Sequence, residues 1–389
     1  MKILFDFISI QGYINGGSEH AKRILHELHS IQKDCNFSMI ALFDSRIPFV
    51  GDDKNTYKPF FTEWIDINKI STIGRFCKEK AIDVFYIGIG QRLMKYYLED
   101  IECKTIIVIH DIDLVELNNS PIALRKKLPT YKDIIKQNIK KFLYVLNLKK
   151  NTYSGDDSES FYKQKNFLLK QNVNIVTVSQ FSKTSIQYNF PFLIQKNISI
   201  YYSPLRTETK LVENADVKKL VDNNVPYFVS LNAKRPEKNV LSAVNAVRVL
   251  TEEYQDYKIV TTGGLPSQHK NHIGLSFVSS GELAYILKHA TALIYPTFIE
   301  GFGYPPIEAM SYGIPVISSK VASVPEVLGD SAIYFNPMYE SELYKALMEF
   351  MNSDKTILRS KAHSQFSIIA DKQQNDLKSF LTFITEIKK

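Results

Sequence analysis

Short apolar runs recur along the chain, separated by stretches in which apolar residues fall at helical spacing. In the first half, runs at 2–9 (KILFDFIS), 37–43 (FSMIALF), 83–88 (DVFYIG), 104–109 (KTIIVI), 174–178 (NIVTV) and 197–201 (NISIY) predict strands. In the second half the runs are 226–231 (PYFVSL), 257–261 (YKIVT), 274–278 (GLSFV), 292–295 (ALIY), 315–318 (PVIS) and 332–335 (AIYF). Continuous Val/Ile/Phe runs, rather than alternating ones, mark strands covered on both faces. Their alternation with helical patterns marks parallel βαβ units. The expected class is therefore α/β, with each half a doubly wound sheet of its own. The polar stretch 203–224 lacks a sheet-like run and marks the seam. It divides the chain into domains at 1–205 and 206–365 and a closing amphipathic helix at 366–389. Ligands of open α/β sheets sit at the carboxyl ends of the strands, so the residues just after each run carry the candidate chemistry.

The 389-residue length agrees with two domains, and 44% hydrophobic residues exclude a disordered chain. Cys35, Cys77 and Cys103 lie far apart without a C-x-x-C pair. That suits a reducing cytoplasm and argues against a disulfide scaffold or a thiolate zinc site. No run approaches the roughly 18–20 apolar residues of a spanning helix. The first run is broken by Asp6 and is too short for a signal peptide, so the expected location is cytoplasmic. The formal charge of +7 is compatible with nucleic acid, a membrane surface or an anionic substrate. It is local, however: residues 125–150 hold nine cations against Asp133, a net +8. Ile135, Ile139, Phe142, Leu143 and Leu146 recur there at helical spacing, with Lys132, Lys136 and Lys140 on another face. Such a helix either lies on an anionic membrane, making the protein peripheral, or packs its apolar face on the sheet. Interleaved aromatic platforms and a reading module are missing, so nucleic acid is not an expected partner.

Four segments follow strands and carry polar chemistry. The first is Glu300-Gly-Phe-Gly-Tyr-Pro-Pro-Ile-Glu308, after ALIY. Gly301 and Gly303 permit close backbone approach, Pro305 and Pro306 suit a helix start, and the free amides there attract anions. Two carboxylates beside an anion site fit a ligand with phosphate and sugar hydroxyls; a Gly/Pro turn with a helix-capping Glu fits the same letters. The second is Asn232-Ala-Lys-Arg235-Pro-Glu-Lys238-Asn239, whose cations before a helix work against the helix dipole. An anionic ligand explains them, and so does a solvated turn. The third is Asn15-Gly16-Gly17-Ser18-Glu19-His20, a glycine pair opening a helix. The fourth is His110-Asp111-Ile112-Asp113. His110 suits a general base, an electrophile, a hydroxyl binder or a structural residue, and the Asp pair suits hydrogen bonding or a divalent metal.

Together the four segments carry a family likeness. The stretch FVSSGELAYILKHATALIYPTFIEGFGYPPIEAMSYGIPVISSKVASVPEVLGDSAIYF, with E-x7-E at Glu300 and Glu308, resembles the retaining glycosyltransferases of family 4, which have the GT-B fold. RPEKN at 235–239 matches the family's basic turn, NGGSE at 15–19 its glycine loop, and HD at 110–111 its His-Asp, in the family's order. The likeness is continuous from about 226 to 337 and rests on two short motifs in the N-terminal half. Departures are His20 where many members carry Arg, Ser230-Leu231 for the common Gly-Arg, and Tyr201-Tyr202-Ser203-Pro204 for Pro-Asn-Gly at the seam.

The resemblance implies two Rossmann-like domains facing across a cleft, acceptor held mainly by the first and nucleotide sugar mainly by the second; the sequence leaves the closing helix free to pack on either domain, including back on the first. It implies Arg235 and Lys238 on the diphosphate, Glu308 on the ribose, and Glu300 against the donor sugar. The amides of Phe302, Gly303 and Tyr304 would hold sugar or phosphate, and Gly16 and Gly17 would approach the phosphates. His110 would contact the transferred sugar, and Asp111 the sugar or acceptor. The expected function is retaining transfer of a hexose-type sugar from a nucleotide diphosphate sugar to a glycan or lipid-linked acceptor in bacterial surface polysaccharide synthesis. With Arg235, Lys238 and a helix end supplying positive charge, no metal or cofactor is expected, and Asp111 and Asp113 are hydrogen-bonding residues. The alternative is a non-catalytic nucleotide-sugar or carbohydrate-binding protein on the same fold.

Overall fold

The computed structural model describes residues 1–12, 15–51, 53–93, 96–112, 116, 165–205 and 210–386. The basic stretch 125–150 and Asp113 lie outside these residues. Two sheets with every strand pair parallel dominate the structure. The first holds β1 (Lys2–Asp6), β2 (Ser38–Phe43), β3 (Glu63–Asp66), β4 (Val84–Ile87), β5 (Lys104–Val108), β6 (Val173–Thr177) and β7 (Ile198–Ile200), in the order 3-2-1-4-5-6-7. The second holds β8 (Tyr227–Ser230), β9 (Lys258–Thr261), β10 (His272–Gly274), β11 (Ala292–Tyr295), β12 (Val316–Ser319) and β13 (Ala332–Phe335), in the order 10-9-8-11-12-13. The strand order turns back between β1 and β4 and again between β8 and β11. At such switch points neighbouring connections leave toward opposite faces and open a crevice.

Both faces of each sheet are covered, as the unbroken apolar runs predict. In the first sheet Ile3, Phe5, Tyr86 and Val108 face one side, and Leu4, Phe85, Ile87 and Ile107 the other. In the second, Tyr227, Val229, Leu293 and Val316 face one side, and Phe228, Ile259, Ile294 and Ile317 the other. One apolar cluster joins the inner faces of both sheets.

Six helices matter below: α1 (Gly16–Ile31), α2 (Gln180–Asn189), α3 (Val240–Leu250), α4 (Tyr304–Ser311), α5 (Val324–Leu328) and α6 (Lys355–Thr385). Helix α1 starts where Asn15 and Ser18 cap each other, Ser18 N donating to Asn15 Oδ1 at 2.9 Å and Asn15 N to Ser18 Oγ at 2.8 Å. It buries Ala21, Ile24, Leu25 and Leu28 on the first sheet. Helix α6 begins on the second sheet's side, where Gln365 Nε2 donates to Val327 O at 2.8 Å. It then crosses the seam: Gln373 Nε2 donates to Ser203 O at 2.6 Å, and Tyr202 N to Asp376 Oδ2 at 2.9 Å. Its far end lies on the first domain, with Phe380 stacked on Tyr201 at 4.8 Å and Lys104 Nζ donating to Glu386 O at 2.8 Å.

Two strands depart from the sequence pattern. Strand β3 is an edge strand of four residues, begun by Glu63 and ended by Asp66, and has no apolar run to announce it. The run 274–278 lies almost wholly after its strand, because the chain leaves the sheet at Gly274. A Cβ there would meet Leu265 O at 1.8 Å, and Phe277 beyond it is 83% exposed.

Candidate active site

The loops that follow the two switch points meet one another. On the second domain's side, the chain leaving β8 passes through left-handed Asn232 (φ 66°) and Asn239 (φ 52°), which bracket a 3-10 turn at Pro236–Lys238. Asparagine tolerates that region better than most residues. The turn drives Lys238 inward until it is 5% exposed. Its ammonium pairs with Glu300 Oε1, and the Tyr295 hydroxyl donates to the same oxygen. A buried lone ammonium costs several kcal/mol, so the carboxylate is what allows a lysine here. Burial, with Glu300 beside it, pushes the Tyr295 pKa well above the ordinary phenol range. The charges of Arg235 and Glu308 also act on that hydroxyl, in opposite directions.

Arg235 stays at the surface, its Nε donating to Glu237 Oε1 at 2.6 Å. The Glu237 carbonyl accepts from Phe298 N at 2.8 Å, fastening the basic turn to the loop that carries Glu300. On the opposite side the Glu300 carbonyl accepts from Ser323 Oγ at 3.0 Å. Helix α4 then starts at Gly303, whose φ of 97° favours glycine, with Pro305 and Pro306 in its first turn. Glu308 follows one turn in and is half-buried. Phe302 is buried, its ring 5.1 Å from Tyr202 and 5.7 Å from Tyr304.

The first domain meets this loop directly. A Cβ on Gly16 would lie 3.8 Å from the Tyr304 ring, and one on Gly17 would lie 3.0 Å from Ile89. A Cβ on Gly301 would fall 2.6 Å from the His110 carbonyl and 3.0 Å from Asp111 Oδ2. Only glycine permits that approach of the two domains. The His110 Nε2 stands 3.0 Å from Gly88 O. A carbonyl only accepts, so Nε2 carries the proton and Nδ1 keeps its lone pair. Burial pushes the His110 pKa down to about 4, which leaves the ring neutral at pH 7. Beneath it His20 is 1% exposed, its ring edge-on to His110 at 4.8 Å and its Nδ1 3.3 Å from Ser203 Oγ. Burial, then the neighbouring His110, lowers the His20 pKa well below the ordinary imidazole value.

Among the described residues, the four singled-out segments thus lie close together, two from each domain. Tyr295, Glu237 and Ser323 join them unannounced. The first two lie inside or beside the quoted segments, where attention to charge alone passed over a tyrosine ending a strand and an acid within a basic turn. Among the described residues, no three His, Cys, Asp or Glu side chains are grouped to hold a metal ion. No helix there is long and apolar enough to cross a membrane.

Two facing Rossmann-like sheets with this cleft define the GT-B glycosyltransferase fold. Solved structures agree over nearly the whole chain: the sucrose-phosphate synthase of Thermosynechococcus elongatus (TM-score 0.66, 11% identity, 98% of each chain) and WaaG, a glycosyltransferase involved in lipopolysaccharide biosynthesis (TM-score 0.63, 13% identity, 99% and 100%). Residues 212–366 match the model of the glycosyl transferases group 1 family. In sequence the chain is similar to the O-antigen chain mannosyltransferase RfbU of Salmonella typhimurium, 32% identical over 46% of this chain and 53% of that one. It is also similar to the O-antigen chain mannosyltransferase B of Escherichia coli, 28% identical over 33% and 37%. The chain spans about half the length, or less, of these relatives.

Proposed function

We propose that the protein transfers a hexose from a nucleotide diphosphate sugar to a glycan or lipid-linked acceptor in bacterial surface polysaccharide synthesis. The observation that carries this is the close approach of His110 and Asp111 from one domain to Gly301 from the other, next to the Glu300 that pairs with the buried Lys238. The group 1 family match and the O-antigen mannosyltransferase relatives support it, and they make mannose the first sugar to test.

Breaking a sugar–diphosphate bond builds negative charge on the leaving phosphate and positive charge on the anomeric carbon. Lys238, Arg235 and the amides of Gly303 and Tyr304 at the start of α4 face the first of these charges; fixed donors of this kind stabilise the transition state without reorganising. Gly16 and Gly17 let the first domain's backbone approach the same phosphates. Glu308 accepts from ribose hydroxyls and Glu300 from the donor sugar, with Phe302 packing its loop in place. A neutral imidazole with a conjugate-acid pKa near 4 is a weak base at pH 7. His110 therefore binds a sugar hydroxyl through Nδ1 rather than taking its proton, and Asp111 contacts sugar or acceptor. The acceptor attacks on the face the nucleotide leaves, giving retention, with the leaving phosphate as base. No metal or cofactor takes part in this scheme.

The protein acts from the cytoplasm, with residues 125–150 meeting an anionic membrane that presents the acceptor. The test is a thermal-shift screen across UDP-, GDP- and ADP-sugars, followed by transfer assays with the donor that binds. One nucleotide family should raise the melting temperature and support transfer. Stabilisation without transfer to any acceptor would leave the non-catalytic binding protein instead.

A further inference from the structure

Helix α2 has its first amides capped from the other domain. Its third amide, Ser182 N, donates to Ser179 Oγ at 3.0 Å, as an N-cap serine arranges. The first two, Gln180 N and Phe181 N, donate across the seam to the Glu326 carboxylate, at 2.8 and 3.1 Å. Glu326 sits on α5, between β12 and β13 of the second sheet. Its Oε1 also accepts from the Tyr202 hydroxyl at 2.9 Å, so the carboxylate meets three donors from outside its own domain. An anion at a helix N-terminus is stabilised both by the free amides and by the dipole.

The same two elements hold the halves of the active site. On the α2 side, Ser179 Oγ donates to Gly301 O at 2.8 Å and Ser182 Oγ to His110 O at 2.9 Å. On the Glu326 side, Ser323, three residues earlier, holds the Glu300 carbonyl. One turn of α2 and the segment Ser323–Glu326 therefore set the position of His110 against Glu300. We propose that Glu326 is a positioning residue, a clamp between the domains that holds the cleft in its working geometry without touching a reacting atom. The kinetic part of this rests on the proposed transferase activity; the structural part does not.

The experiment compares the full chain with Glu326→Ala, Glu326→Gln and Tyr202→Phe, by solution X-ray scattering, melting temperature and transfer kinetics. With Glu326→Ala the maximum dimension should grow as the domains part, and kcat should fall about 10- to 100-fold, the scale of a small misplacement of reacting groups. The donor KM should stay within about twofold, since no donor contact is removed. Glu326→Gln keeps a carbonyl oxygen for one amide and should recover part of kcat, with Tyr202→Phe also between wild type and Glu326→Ala. Unchanged scattering and kcat in Glu326→Ala would overturn the clamp. So would a Glu326→Gln protein as impaired as the alanine variant with its melting temperature equally lowered, because that marks a purely structural role. If the wild type transfers no sugar, the transferase assignment fails, while the scattering comparison still decides whether Glu326 holds the domains together.

Discussion

Lys238 is the residue whose chemistry and burial are most closely tied. An exposed lysine at the mouth of a helix is a solvated charge of little consequence, but this one is enclosed and paired with Glu300. In the proposed reaction, replacing it with alanine removes one preorganised cation from the leaving phosphate, and it leaves the Glu300 carboxylate without its ion-pair partner. Initial rates at saturating donor should fall by roughly 10²–10³; a rate within threefold of wild type would remove Lys238 from the proposed chemistry. Residues proposed for the chemistry were legible in the sequence where a residue type and a spacing occur together, as at Glu300 and Glu308. Ser323 and Glu326 were not. A serine and a glutamate in an ordinary helical turn carry no local signature, and their partners lie 23 and about 146 residues away along the chain. His110 fell between: its place after β5 was legible, but its tautomer follows from the Gly88 carbonyl, which only the fold brings near.

Among the elements, the legible ones were those whose burial is spread over many residues. Strands β1, β4, β5, β8 and β11 announce themselves as apolar runs because both faces are covered. The failures came where a single backbone requirement outweighed the pattern: Gly274 turns GLSFV out of the sheet, and β3 pairs at an edge with only one neighbour. Helix α6 is a further case. The amphipathic pattern was expected only from 366, yet the helix starts at Lys355 and changes the surface it covers partway along. Phe380 anchors its far half, with its ring near Tyr201, Tyr86 and His20 at 4.8, 6.2 and 6.4 Å. Phe380→Ala empties that space, and removing a fully buried phenylalanine costs about 3–5 kcal/mol. Urea unfolding should show the loss. It is readable in the fluorescence of the chain's one tryptophan, Trp64, which packs 4.7 Å from Phe7 in the first domain.

For the whole molecule, the buried titrating groups set a pH response. His110 and His272 titrate near 4 in the fold, both through burial, and His20 is lowered in the same way. Unfolded imidazoles titrate near 6.5, so below that pH the unfolded chain takes up protons the native state refuses, and stability falls toward pH 4. For His272, which is 3% exposed, the full loss is about 3 kcal/mol. Asp6 works in the opposite direction: burial raises its pKa to about 6, so the native state holds a proton between the ordinary carboxylate value and pH 6 that the unfolded chain releases. Stability measured by urea midpoint should therefore drop from pH 6.5 to 4 with a shallow slope, and Asp6→Asn should steepen it. A wild-type midpoint flat or rising over that range would contradict the assignment of neutral buried imidazoles.

The path of α6 also has a consequence for biogenesis. All seven strands of the first sheet precede the second sheet along the chain and leave the ribosome before it. Yet the aromatic face around Tyr86 and Tyr201 is closed by Phe380, which emerges only after the whole second sheet has been made. Of the two domains, the one translated earlier is completed later, and during that interval it presents an unsealed hydrophobic surface to whatever chaperones attend the nascent chain.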